Sequence, residues 1–81
     1  MAMVIVLFFS TFYQVNLSWN ASPGVEVYRK LPEAKTWNLK ASNVSAQTWT
    51  DDDVGFGKTY NYEVCNSTGC SNVVVVTIPA S

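Results

Sequence analysis

Apolar and polar residues alternate with a period of two over several short stretches of this 81-residue chain. Side chains along a strand point alternately to its two faces, so each stretch is predicted to form a strand with one buried and one solvated face. Turn-forming residues separate the stretches about every 8–12 residues, and no stretch has the period of an amphipathic helix. The pattern predicts about seven short strands that pack as an antiparallel sandwich.

The clearest alternation is that of Tyr60, Tyr62 and Val64, which are separated by polar residues. Residues 66–69 have the composition of a chain reversal, and the Val-rich residues 73–78 supply a returning strand. These segments are predicted to form a β-hairpin around which the other strands pack.

Similar alternation predicts further strands near residues 15–19, 25–30, 36–41 and 48–50, with a tight turn at 21–24. Their inward positions, together with those of the hairpin, define a candidate core. It consists of Val15, Leu17, Trp19, Val25, Val27, Trp49, Tyr60, Tyr62 and Val64.

The chain begins with an apolar run that is too short to span a bilayer. No basic residue precedes the run and no small-x-small cleavage site follows it, so it fits a secretory signal poorly, although a signal-like segment remains the alternative. We predict a strand that is apolar on both faces and needs cover on its second face, which makes residues 1–14 a candidate assembly segment and residues 15–81 the sandwich of a single domain. The candidate assembly residues are Met3, Val4, Ile5, Val6, Leu7, Phe8 and Phe9.

Composition narrows the function classes. The formal net charge is −1 and only 14% of residues are charged, which gives no electrostatic reason to expect nucleic acid or an anionic membrane as a partner. The chain has no histidine, no Gly-rich phosphate loop and no nucleophile motif. We therefore expect a protein that is not an enzyme and that carries no cofactor.

Cys65 and Cys70 flank the tip of the predicted hairpin. Their spacing matches neither a Cys-x-x-Cys redox pair nor half of a zinc site, and a cross-strand disulfide fits better. Such a bond would clamp the tip and contribute only ~2 kcal/mol, since the closed loop is short. The alternative is two unpaired thiols in a reducing compartment.

The order and spacing of several motifs resemble a fibronectin type III domain of the microbial or viral type. Leu17-Ser18-Trp19 is similar to the second strand of that family, and Val25-Glu26-Val27-Tyr28-Arg29 is similar to the third. Gly57-Lys58-Thr59-Tyr60 resembles its tyrosine corner, and residues 65–71 resemble its last hairpin. The resemblance implies an all-β, seven-stranded antiparallel Greek-key sandwich of immunoglobulin-like type. It also implies that the phenol of Tyr60 bonds to the backbone of the preceding loop.

The resemblance raises one question of register. A plain hairpin would pair Tyr62 with Val73, whereas the family pattern turns Val74 and Val76 inward, and a one-residue bulge would reconcile the two. The loop at residues 21–24 is also shorter than in many adhesive members, and no Arg-Gly-Asp sequence is present.

Several polar residues are candidates for sites. Asn66, Asn43, Asn16 and Asn20 each begin an Asn-x-Ser/Thr sequon, and Asn66 at the hairpin tip is the best acceptor for a glycan.

Tyr28, Arg29 and Trp37 form a candidate ligand face, because basic groups beside aromatic rings can grip a sugar or a polyanion; an ordinary outer sheet face is the alternative. Asp51, Asp52 and Asp53 are a weak calcium candidate, and we expect them to form a solvated turn without a metal.

These observations favour an extracellular, cell-surface or virion-surface module for protein interaction or adhesion. One alternative is a structural subunit of a filament, appendage or virion surface, assembled through the apolar N-terminal strand. A second alternative is a carbohydrate-binding accessory domain. The expected partners are thus a protein, including copies of this chain, or a carbohydrate, but not nucleic acid and not a membrane that the chain would span.

Overall fold

The computed structural model of the protein describes residues 6–9 and 14–80. Met3, Val4 and Ile5 of the predicted N-terminal strand lie outside this range. The described residues form eight strand segments and no helix. The segments are β1 Val6–Phe9, β2 Val15–Ser18, β3 Val25–Lys30, β4 Asn38–Val44, β5 Thr48–Asp51, β6 Thr59–Asn66, β7 Gly69–Cys70 and β8 Val74–Thr77.

The strands form two antiparallel sheets. The first has the order β1-β2-β5, and in the second β3 lies between β4 and β6. Both β7 and β8 pair with β6, so they form one interrupted returning arm of the predicted hairpin. With that arm counted once, the protein is the predicted seven-stranded, all-β sandwich.

β1 is an edge strand of the three-stranded sheet and pairs only with β2 among the described strands. Leu7 lies opposite Leu17 and Phe9 lies opposite Val15. Val6–Phe9 therefore form a strand of one of the two sheets of the sandwich.

The returning arm of the hairpin contains a one-residue shift in register. Cys65 pairs with Cys70 in β7, but Tyr62 pairs with Val74 in β8, one position later than a plain hairpin would give. Val73 is consequently exposed, while Val76 is buried. The inward orientation of Val76 that the family resemblance implied is confirmed.

Ser71 stabilises this shift. Its backbone N–H donates to the Val64 carbonyl at 2.7 Å, and its side-chain Oγ accepts from the Val64 N–H at 3.0 Å. A hydroxyl thus occupies the place of the backbone carbonyl that a regular ladder would supply.

The core lies between the two sheets. Of the predicted core residues, Trp49 is only partly buried and packs against the rest. Ile78 and Val76 join the core from the returning arm. The buried apolar side chains are Val15, Leu17, Trp19, Val25, Val27, Tyr60, Tyr62, Val64, Val76 and Ile78.

The tyrosine corner implied by the resemblance is present. Gly55 donates its backbone N–H to the Tyr60 phenol oxygen at 2.9 Å. Gly57 has a φ of 72°, a conformation that side chains with a Cβ rarely adopt, and its N–H donates to the Ile78 carbonyl at 3.0 Å. The corner therefore ties the loop before β6 to the end of β8.

Candidate functional site

The second sheet has four strands when β7 and β8 are counted as one arm: β4, β3, β6 and the returning arm. The outward side of this four-stranded sheet is the candidate binding surface, and its residues lie in cross-strand rows. In one row Tyr28 lies between Leu39 and Glu63, and in the next Asn61 lies between Lys30 and Val75. We call this surface the outer face; it consists of Tyr28, Lys30, Leu39, Asn61, Glu63, Val73 and Val75.

The outer face exposes large apolar side chains at both of its edges. Leu39 is 55% exposed at the β4 edge, and Val73 and Val75 are 48% and 61% exposed at the β8 edge. Glu63 and Asn61 lie between them on β6. Single exposed apolar residues are ordinary on protein surfaces, and Leu39 lies at the opposite edge from Val73 and Val75, so together they make the outer face a candidate contact surface.

Lys30 fixes the loop that borders the outer face. Its Nζ donates to the carbonyl oxygens of Leu31, Pro32 and Ala34 at 3.3, 3.1 and 3.2 Å. The same ammonium lies 5.4 Å from the centre of the Trp37 ring. The loop therefore presents Trp37, which is half-buried, at the rim of the outer face.

Arg29 lies apart from the other two members of the predicted ligand face. Its Nη1 donates to Asp51 Oδ2 at 2.8 Å and to the Asp53 carbonyl at 2.6 Å. Its guanidinium carbon also lies 4.6 Å from the centre of the Tyr60 ring. Tyr28 and the rim Trp37 remain near the outer face, while Arg29 closes one end of the core.

Asp51 is the buried partner of this arginine. Its side chain is 1% exposed and accepts a hydrogen bond from the Tyr62 phenol at 2.6 Å. The expectation that Asp51 belongs to a solvated turn is wrong, because β5 continues through Asp51, which pairs with Val15. Inward orientation removes the carboxylate from water, and two side-chain donors replace its hydration.

This cluster shifts the pKa of two groups. Burial raises the pKa of Tyr62 well above its ordinary value, and the hydrogen bond to Asp51 and the carboxylate charge raise it further. Burial alone would lower the pKa of Arg29, but the hydrogen bond and charge of Asp51 outweigh burial and raise it. The neutral phenol and the charged guanidinium are therefore the stable forms.

The three consecutive aspartates have different environments. The Asp51 carboxylate is bonded to Arg29, Tyr62 and the Asp53 N–H, while Asp52 is exposed. Asp53 instead lies near Lys40, whose Nζ is 3.4 Å from Asp53 Oδ2.

Among the described residues, one group of three has potential metal-ligand atoms within 4.8 Å of one another. It consists of Glu63, Cys65 and Cys70, and both of its sulfur atoms belong to a disulfide.

The hairpin tip carries the predicted Cys65–Cys70 disulfide, which is confirmed. It lies on the outward side of β6, opposite the core residue Val64. Asn66 follows, and its Oδ1 accepts from the backbone N–H and the hydroxyl of Thr68 at 2.9 and 2.7 Å. The tip is therefore closed by a covalent bond and by a side-chain turn.

Sequence inspection missed the pairing of Arg29 with Asp51, although strand parity contains a signal for it. Arg29 follows Val25 and Val27 at every second position, so it belongs to the inward side of β3. Asp51 follows Trp49 in the same way on β5. Two opposite charges on inward positions of facing sheets are expected to form an ion pair, because an unpaired buried charge is strongly destabilising.

Comparison with known proteins gives matches at the level of structure. No family model matches the sequence, and no curated protein matches it. An Fn3-like protein from Clostridium thermocellum superposes with a TM-score of 0.76 at 21% identity, over 96% of this chain and 91% of that one. The FN5 domain of Drosophila Lar gives 0.74 at 14% identity, over 99% and 97%.

A third similar structure is pectate lyase PelI from Erwinia chrysanthemi, in complex with tetragalacturonic acid. The superposition has a TM-score of 0.76 at 21% identity and covers 94% of this chain but only 28% of the lyase. The strand order, the tyrosine corner and these superpositions together show that the chain has the fold of a fibronectin type III domain.

Proposed function

We propose that this domain is a non-catalytic interaction or adhesion module that contacts a protein partner through the outer face. The observation that carries the proposal is the exposure of Leu39, Val73 and Val75 on one side of a sheet whose other side packs against the core. Removing such side chains from water is the main favourable term in protein association. The strand order in the two sheets also supports the Greek-key connectivity that the family resemblance implies.

The short β2–β3 and β6–β7 loops favour a sheet face over this pair of loops as the contact surface. Residues 19–24 connect β2 to β3, and Ser67–Thr68 alone connect β6 to β7. The second connection is also closed by the disulfide. Neither loop offers the length or the adaptability that a loop-based binding site needs.

The size of the outer face limits the affinity. Four strands spaced about 4.8 Å apart and about six residues long give a surface on the order of 300 Å². A standard interface buries about 800 Å² on each partner. We therefore expect a partner that also contacts the rim at Trp37, or weak binding that is strengthened when several copies of the module act together.

The disulfide and the fold support an extracellular compartment, because both are typical of extracellular proteins. No helix long and apolar enough to span a membrane occurs among the described residues. We place the module at the outside of a cell or on the surface of a particle such as a virion.

Site-specific photo-crosslinking tests the proposal. A photoreactive amino acid at Val75 or Leu39 should give discrete adducts with a protein on the producing cell or particle. The same probe at Thr48, which is exposed on a strand of the other sheet, is the matched control. Equal labelling at Thr48 and Val75, or no adducts at either, would exclude the outer face as the binding surface.

A second candidate is a structural subunit assembled through the N-terminal strand. The position of β1 at a sheet edge supports it, since an edge strand can pair with a neighbouring subunit. Deleting residues 1–9 would be a poor test because it also removes a partner of β2. Light scattering of the full-length chain over a range of concentrations is cleaner, and a stable monomer throughout would eliminate this candidate.

A third candidate is a carbohydrate-binding accessory domain. The similarity to a part of a pectate lyase and the position of Trp37 beside Lys30 support it. Trp37→Ala should weaken retention on an immobilised polysaccharide if this candidate is correct, and unchanged retention would remove it.

A further inference from the structure

The four Asn-x-Ser/Thr sequons occupy different structural environments. Attachment of an N-linked glycan requires a free amide nitrogen on the asparagine, a hydroxyl two residues later and room for a bulky solvated group. The folded domain must also keep the modified residue outside its core. These requirements distinguish the sequon that can carry a glycan from those that are unsuited to it.

Asn66 has the required amide and hydroxyl at the partly exposed tip of the hairpin. Its Oδ1 accepts from both the N–H and the Oγ1 of Thr68, so the amide and the hydroxyl of the sequon are already adjacent. These two bonds use the amide oxygen and leave Nδ2 without a hydrogen bond among the described residues. Ser67, the middle residue, is exposed at the end of the hairpin.

From this geometry we propose that Asn66 is an N-glycosylation site. The amide nitrogen attacks the anomeric carbon of a lipid-linked pyrophosphate oligosaccharide, and a carbon–nitrogen bond forms. The bond from that carbon to the pyrophosphate oxygen breaks, and the lipid pyrophosphate leaves with the proton that Nδ2 loses. The hydroxyl of Thr68 is held against the amide oxygen, where it orients the acceptor group.

Asn16 is unsuited because it lies in β2, the middle strand of the three-stranded sheet. Its Oδ1 accepts from the Thr50 hydroxyl at 2.6 Å, and not from the hydroxyl of its own sequon. The middle residue of that sequon, Leu17, is 1% exposed. An enzyme could reach Asn16 only by opening the sheet.

Asn20 is exposed, but its sequon is held at the middle residue. Ala21 donates its N–H to Gln47 Oε1 at 3.0 Å and accepts from Gln47 Nε2 at 2.8 Å. Pro23 follows the sequon directly, which further restricts the backbone.

Asn43 is exposed at a positive φ of 53°. Its middle residue, Val44, packs against the core and accepts a backbone hydrogen bond from Gly24 at 3.0 Å. Moving this sequon into an enzyme cleft would withdraw Val44 from the core.

The disulfide beside Asn66 forms in the same oxidising compartments in which N-glycans are added. The site is independent of the partner that binds the outer face, so failure of either proposal leaves the other intact.

The experiment directs the full-length chain through a eukaryotic secretory pathway. Peptide N-glycosidase treatment of the wild-type protein in heavy-oxygen water, followed by peptide mass spectrometry, should give labelled aspartate at position 66. Asn66→Gln and Thr68→Ala should each abolish the mass shift on deglycosylation, and Thr68→Ser should retain it. Asn43→Gln is the matched control and should leave the shift unchanged.

Secreted wild-type protein with unlabelled Asn66 would overturn the proposal. Because the mapping is done on the wild-type chain, the result does not depend on whether any variant folds.

Discussion

The Tyr62 phenol donates a hydrogen bond of 2.6 Å to Asp51 Oδ2 in the interior of the sandwich. Tyr62 belongs to β6 in the four-stranded sheet and Asp51 to β5 in the three-stranded sheet, so this bond joins the two layers. Arg29 binds the same carboxylate oxygen at 2.8 Å and screens it from the solvent side. The polar cluster therefore fixes the relative position of the sheets, which hydrophobic contacts alone do not specify.

Removal of the Asp51 carboxylate should destabilise the domain strongly. Asp51→Ala leaves the Tyr62 phenol and the Arg29 guanidinium without their shared acceptor, and we expect a loss of about 3 kcal/mol. Asp51→Asn should cost less, because an amide oxygen still accepts from Tyr62. The measurement is the free energy of unfolding from urea titration. Asp52→Ala is the control, since Asp52 is exposed; an equal effect of both alanine variants would contradict the proposed cluster.

The raised pKa of Tyr62 should make stability fall at alkaline pH. The phenol of the unfolded chain ionises near pH 10, whereas the folded protein keeps its proton to higher pH. Above about pH 10 the unfolded state therefore binds fewer protons, and the free energy of unfolding should decrease by up to about 1.4 kcal/mol per pH unit from this group. At lower pH both states are protonated and the contribution is constant.

Tyr62→Phe should remove this part of the slope between about pH 10 and 11. The rest of the sequence is the same in both proteins, so the difference between the two slopes isolates Tyr62. Identical slopes for wild type and variant would show that the buried phenol does not retain its proton.

The sequence predicts the strands well because alternation is a local property. Tyr60, Tyr62 and Val64 reveal their buried face without knowledge of any partner strand. The sequence does not reveal that Asp51 is buried, because Asp51 begins a run of three aspartates that resembles a turn. Its partner Arg29 also lies 22 residues away in the chain. The environment of such a residue is set by tertiary pairing, which local composition does not contain.

The orientation of the returning arm shows the same limit. The Val-rich run is apolar on both faces, so its pattern does not determine which valines face the core. The shift at Ser71 decides it, and the Ser71 side chain supports this shift by accepting a hydrogen bond from the Val64 N–H. The alternation therefore places Val73 and Val75 on the strand but leaves their orientation open, and only the family resemblance implies that Val74 and Val76 face inward.

Ser71→Ala tests the role of that hydrogen bond. The substitution leaves the Val64 N–H without its side-chain acceptor, and we expect a loss of about 1–2 kcal/mol. Ser67→Ala, at the exposed turn of the same hairpin, should have an effect within about 0.5 kcal/mol. Amide hydrogen exchange at Val64 provides a direct readout, and unchanged protection in Ser71→Ala would contradict the assignment.

Trp19 is the largest side chain of the core and is only 5% exposed. Trp19→Ala creates a large cavity and should cost about 3–5 kcal/mol, enough to unfold a domain of this size.

The indole Nε1 of Trp19 is buried and has no hydrogen-bond acceptor among the described residues, and an unpaired buried donor itself costs about 1–3 kcal/mol. Trp19→Phe removes that donor while it keeps an aromatic ring in place, so its cost should be less than half that of Trp19→Ala. Trp37→Ala is the control at a half-buried rim position. Urea denaturation of the three variants separates the contributions: a Trp19→Ala loss under about 1 kcal/mol would show that Trp19 is not central to the core.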